Sequence, residues 1–212
     1  MNSSKLAAYL ASRICHDVAS PLQALMNGCD LAFDDSMGGA MQAEGQKLLM
    51  EGVAKLNAKV QFMRLAVGSQ ILSEGQANPS EGQQKLAMLM AVGKGKLEWA
   101  VDAPLSNLQL RLLLNMALLM LEPVDKGGLL SVSAREIGDT VRFDVRSSGG
   151  SPNLRPEILQ ALSGQEPERG WSGGGIQPYY TRLLAEEAGF QLAPSKEDAV
   201  IVLTAAGPKA EF

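Results

Sequence analysis

The chain has a single histidine, two cysteines, and aromatic side chains at only 5% of 212 positions. Each shortage excludes something. With no CxxC pair and no Cys/His cluster, a zinc site of ordinary ligand spacing is excluded. Cys15 and Cys29 fall on one expected helix, about 21 Å apart along its axis. They are too far apart to bridge each other, and a reducing cytoplasm suits them. No block of like charge occurs, and 19 basic against 23 acidic residues leave a net charge of −4. That balance excludes a nucleic-acid surface, which neutralises phosphates with a basic patch, and a polybasic membrane anchor. The longest apolar run, Leu112–Leu121, is too short to span a bilayer. Arg13, His16 and Asp17 interrupt the N-terminal apolar residues, so that segment does not read as a signal peptide. A hydrophobic fraction of 46%, including ten methionines, is enough for a core of aliphatic residues and adaptable thioethers. The length suits one large domain or two small ones.

What is present is helical periodicity. Leu6, Leu10, Ile14, Val18, Leu22, Leu25 and Cys29 recur at steps of three and four, predicting a helix over 4–33. Ser36–Gly39 reads as a turn. Leu49, Val53, Leu56, Val60, Met63, Val67 and Ile71 form a near-heptad seam on a second helix over 41–72. Two helices alone cannot bury both seams, so the hairpin is expected to pair with a copy of itself as a four-helix bundle, making the protein a homodimer. Glu74–Gly82 reads as a linker, which sets the expected domains at 1–75 and 83–212. Beyond it, 85–92 is open between helix and strand. A strand is expected over 96–102, an apolar helix over 104–122, strands over 129–134 and 140–147, and helices over 156–162 and 178–188. The last helix is stopped by Gly189, and a final strand pair covers 190–193 and 199–205. Mixed helices and antiparallel strands predict an α+β sandwich.

The unique histidine lies in Ile14–Leu22, ICHDVASPL. At 100° per residue it points nearly opposite the apolar stripe through Val18, so it faces solvent. Its helical neighbours Ser12, Arg13, Ala19 and Ser20 are small apart from the arginine, leaving the imidazole reachable. A lone surface histidine on an amphipathic helix needs no function. This one is outward-facing, lacks the Lys/Glu ring of a solvated face, and is followed by a proline at position 21.

His16, Asp17, Pro21 and Leu22 resemble the H-box of sensor histidine kinases, His-Glu/Asp-x-x-x-Pro-Leu, which lies on the first helix of a dimeric hairpin. The resemblance implies that His16 carries a phosphoryl group and that Asp17 orients or deprotonates its ring. In those kinases an ATP-binding α+β domain follows. Here Asn115 matches the first asparagine of its first motif, and Gly127 and Gly128 match its glycines. The magnesium-holding asparagine is replaced by Leu119. The adenine-binding aspartate is replaced by Ser147, and a later glycine by Ser151. Ser172–Tyr180, SGGGIQPYY, does not fit the last glycine motif, and Gly173–Gly175 read as a plain loop. Without these contacts the kinase chemistry loses its main electrostatic support.

A kinase-like hairpin joined to a degenerate ATPase-like domain is similar to the ChpT-type histidine phosphotransferases. That resemblance implies transfer between aspartates on receiver domains, those of a hybrid histidine kinase and of response regulators. The receiver brings the magnesium, so no cofactor and no metal site is expected in this chain. Receivers are expected to dock around His16 on Ser12, Arg13 and Ser20. Two other readings fit the same residues: an ATP-dependent histidine kinase with divergent nucleotide boxes, and a non-enzymatic dimeric signalling scaffold.

Overall fold

A computed structural model describes residues 1–36, 38–68, 74–121, 127–149 and 154–212. Two long helices come first, α1 (Ser3–Ala32) and α2 (Gly39–Ala66), packed as a hairpin. Asn2 caps α1, its Oδ1 accepting from Lys5 N at 2.9 Å. α1 runs unbroken through Pro21. α2 stops at Ala66, short of the expected end at 72; Ile71, the last residue of its expected seam, lies outside the described residues.

The face that joins α1 to α2 differs from the aliphatic seam. The buried residues of α1 are Pro21, Gly28 and Ala32, whereas Leu22 and Cys29 are exposed. On α2, Gly45, Gly52 and Ala58 are buried and Val53 is exposed. A Cβ on Gly45 would stand 2.5 Å from Ala32 N, and one on Gly28 would stand 2.9 Å from Leu49 N. The helices therefore meet backbone to backbone across small residues. Gly→Ala inside a helix ordinarily stabilises, by about 0.5–1 kcal/mol. Gly45→Ala is expected to do the opposite, lowering stability by about 1–3 kcal/mol through overpacking, read as a fall in the urea midpoint at constant slope. A gain in stability would mean the helices do not approach this closely.

The remaining elements are α3 (Pro79–Val92), β1 (Lys96–Val101), α4 (Asn107–Met120), β2 (Leu129–Ile137), β3 (Thr140–Ser148), α5 (Pro156–Leu162), α6 (Ile176–Ala188), β4 (Gln191–Glu197) and β5 (Val200–Pro208). α3 begins inside the stretch expected to be linker. Asn78 is its N-cap, accepting from Ser80 N at 3.2 Å, and Pro79 opens the first turn. This also settles 85–92 as helix. α4 starts from a capping box in which Ser106 Oγ accepts from Gln109 N and Gln109 Oε1 accepts from Ser106 N.

The sheet order is β1-β2-β3-β5-β4. It is mixed, not purely antiparallel: β1 runs parallel to β2, because α4 crosses between them. One sheet face carries Leu130, Val132, Ala134, Val141, Phe143, Val145, Leu203 and Ala205, all buried in the core with α4 and α6. The same core takes in Phe62, Leu65 and Ala66 from the end of α2. A smaller cluster of Ala161, Trp171 and Ile176 packs against Leu6, Tyr9 and Leu10 on α1. The first half of α1 is thus braced by the C-terminal region, about two to three turns before His16.

Candidate functional site around His16

Helical geometry divides α1 into three faces. With His16 at zero, the residues buried against α2 (Pro21, Gly28, Ala32) cluster about 120–160° away, and the exposed apolar residues Leu22, Met26 and Phe33 about 240–280° away. His16 occupies the third face, and its side chain is 83% exposed.

Its Nδ1 lies 3.5 Å from Asp17 Oδ1, leaving Nε2 as the nitrogen away from the acid. Asp17 is itself held, its Oδ2 accepting from Arg13 Nε at 2.9 Å, one helical turn back. The proline at position 21 has a local consequence here. It has no N–H to give to the carbonyl of Asp17, four residues earlier. Lys59 of α2 supplies the missing donor, its Nζ bonding Asp17 O at 3.2 Å. The His-Asp-x-x-x-Pro pattern therefore frees a carbonyl under the histidine, and α2 places a cation on it.

A cleft of about 280 Å³ opens beside the imidazole, lined by Ser12, Arg13 and His16 of α1 and by Arg155, Ser172 and Gly174 of the C-terminal region, among others. Of the residues expected at the site, His16, Arg13 and Ser12 come together there. Asp17 stands beside them, and Ser20 is exposed further along the helix, outside the cleft. Lys59, Arg155 and Ser172 are additions. Arg155 sits before a helix-opening proline and carries no local signal of a site, because only the fold brings it to α1.

A second cavity of about 450 Å³ lies on the other side of Arg13 and Arg155, which line both. Leu119, which the resemblance puts where sensor histidine kinases hold magnesium, lines it together with Gly174. Leu119 offers no oxygen, and Leu89, Met90, Leu118 and Leu121 add apolar wall. Asn115 is fully buried and committed to the protein. Its Nδ2 donates to Ala66 O at 2.8 Å and Arg111 O at 2.7 Å, and its Oδ1 accepts from Gln177 Nε2 at 2.5 Å. Ser147, where an adenine-binding acid would stand, is 2% exposed. Nor is Gly173–Gly175 a plain loop. It runs from a 3₁₀ turn (Trp171–Gly173) through Gly174 at φ +106°, and a Cβ on Gly175 would stand 2.6 Å from Pro167 Cγ. Among the described residues no cluster of three or more His, Cys, Asp or Glu is arranged to hold a metal ion, and no helix is long and apolar enough to cross a membrane.

The family of the histidine phosphotransferase C-terminal domain matches residues 79–200. Over 194 residues, 91% of each chain, the sequence is 31% identical to protein phosphotransferase ChpT of Brucella abortus (strain 2308). A solved bacterial phosphotransferase superimposes with a TM-score of 0.84 at 31% identity, covering 97% of both chains. Full-length ShkA, solved in complex with AMPPNP, shares the fold at a TM-score of 0.53 and 19% identity, the match spanning all of this chain and 47% of that one.

Proposed function

This chain belongs to the histidine phosphotransferase family, and from that premise we propose that it relays phosphoryl groups between receiver-domain aspartates through His16. The observation that carries this reading is the single histidine, 83% exposed on the face of α1 left open by both α2 and the apolar stripe, with an acid at its Nδ1. In the accepting step the Nε2 lone pair attacks the phosphorus of an aspartyl phosphate. The P–O bond to the acyl oxygen breaks and its electron pair leaves with the receiver carboxylate. Donation to a second receiver runs the same displacement in reverse. Asp17 keeps the proton on Nδ1, so that the lone pair stays on Nε2. No ATP is consumed: Asn115 is already spent on protein contacts and Leu119 supplies no metal ligand.

Receivers from a hybrid histidine kinase and from response regulators are the partners, docking over His16 with Ser12, Arg13 and the open surface at Ser20. The hairpin of α1 and α2 supplies phosphotransfer and dimerisation, and the degenerate ATPase-like region that braces it begins with α3 at Pro79. Leu22, Met26 and Phe33 on α1 with Met50 and Val53 on α2 are all about half exposed or more, a large apolar stripe for one protomer to leave in water. A second copy covers it, giving a dimeric four-helix bundle. Sedimentation is expected to return a dimer at micromolar concentration, and a monomer there would remove the bundle. The exposed thiols of Cys15 and Cys29 suit a reducing cytoplasm.

The direct test is incubation with a receiver domain carrying ³²P on its aspartate. Label is expected to pass to this chain, to be acid-labile and alkali-stable, and to map to His16. Label that stays on every receiver tried, or reaches the chain only from ATP, would sink the reading.

A further inference from the structure

Resting on that reading, we infer that the cleft beside His16 is a phosphoryl-holding site, and that its second wall makes Arg155 a catalytic residue for transfer. Arg155 is far from α1 in sequence yet lines the same cleft as His16 and Arg13. Its guanidinium is seated on the glycine loop. A Cβ on Gly174 would stand 3.1 Å from Arg155 Nη2, and Gly174 holds φ +106°, a conformation that side-chain-bearing residues rarely adopt. The glycine here clears room for a cation, where a kinase would use its loop on a nucleotide's phosphates.

The charges match the transferred group. Two guanidinium groups line the cleft and, among the described residues, no carboxylate does. Arg13 spends its Nε on Asp17, and the five donors of a guanidinium leave Arg13 others to bond. Ser12 and Ser172 add hydroxyls. A dianionic phosphoryl group on Nε2 therefore meets fixed positive charge and hydrogen-bond donors from two sides, as phosphoryl oxygens require during displacement. Arg155 forms no bond to phosphorus and moves no proton. It holds the equatorial oxygens while the N–P bond forms and the P–O bond to the donor breaks.

Phosphoramidate separates this role from receiver docking, because it makes no protein contacts. Nε2 attacks its phosphorus, its P–N bond breaks, and ammonia leaves after taking up a proton. The full-length Arg155→Ala chain is expected to gain phosphate on His16 from phosphoramidate about 10–100-fold more slowly than wild type, the scale of one charge-assisted hydrogen bond. Arg155→Lys recovers part of the rate, and affinity for an unphosphorylated receiver stays within twofold. For chain loaded from a receiver, the ³¹P resonance of phosphorylated His16 is expected to shift in Arg155→Ala. An unchanged phosphoramidate rate, with or without a loss of receiver affinity, overturns the role, as does an unchanged ³¹P resonance. A wild-type chain that takes phosphate from no donor overturns the relay reading and this inference with it. A wild-type chain that takes phosphate at the same rate as Arg155→Ala overturns this inference alone.

Discussion

His16→Ala removes phosphate acceptance down to background while leaving the fold intact. The sequence has one histidine, so no second imidazole can stand in. The side chain is 83% exposed and makes no core contact, so its loss should change stability by no more than about 0.5 kcal/mol. Activity and stability are therefore separable: the variant should show the wild-type urea midpoint and sedimentation behaviour, and no acid-labile label from a phosphorylated receiver. Asp17→Asn tests the neighbouring role in the same assay. The amide keeps the size of the side chain but loses the charge that faces Nδ1 at 3.5 Å and receives Arg13 at 2.9 Å. Transfer should slow by roughly a hundredfold, the low end of a general acid–base contribution, with label still on His16. Full activity in His16→Ala would end the relay reading; full activity in Asp17→Asn would leave His16 without a positioned tautomer and remove Asp17 from the mechanism.

The second large effect is on stability. Asn115 and Arg111 on α4 close the C-terminus of α2. The last carbonyls of a helix have no partner within it, and here Ala66 O accepts from Asn115 Nδ2 and Arg111 Nε, while Val67 O accepts from Arg111 Nη2 at 2.8 Å. A guanidinium at this end also suits the negative pole of the helix. Arg111 is in turn fixed over the ring of Tyr180, 5.6 Å from its centroid, and burial raises the Tyr180 phenol pKa against the opposing pull of that cation. Asn115→Ala deletes three hydrogen bonds at a fully buried position and strands the Gln177 amide. The expected loss is about 3 kcal/mol, or about 6–12 °C in Tm for a chain of this length. If Asn115 were a surviving nucleotide residue, its loss would leave the melting curve where it is and change only ATP binding.

This reuse of Asn115 shows where the sequence was legible and where it was not. The asparagine matched a kinase motif because the motif records residue type and spacing. What the side chain bonds to depends on α2 ending against α4, which no local pattern encodes. The hairpin was expected, but its contact face was missed in a similar way. Periodicity in apolar residues predicted both helices to within a residue or two at most of their ends, but it cannot see glycine. The contact face of α1 and α2 runs through Gly28, Gly45 and Gly52, while Leu22, Cys29 and Val53 of the expected seams stay exposed. Spacing of seven between Gly45 and Gly52, and between Pro21 and Gly28, was the available signal. The direction of β1 was hidden because a strand alternates with period two whether its neighbour runs parallel or antiparallel. α3 had its signs in Asn78 and Pro79, overlooked because polar residues and proline also describe a linker.

What the sequence alone determined is which way His16 faces. An α-helix turns by a fixed angle per residue, so the positions of the apolar residues on α1 put the imidazole on the opposite side before any packing is known. What surrounds that imidazole was decided by the tertiary structure. Lys59 reaches the carbonyl that proline leaves free only because α2 packs alongside α1. Arg155 and the glycine loop reach His16 only because the C-terminal region folds back onto the first turns of α1. Contacts between residues far apart in the chain follow from how whole surfaces fit together, and local periodicity carries no record of that fit.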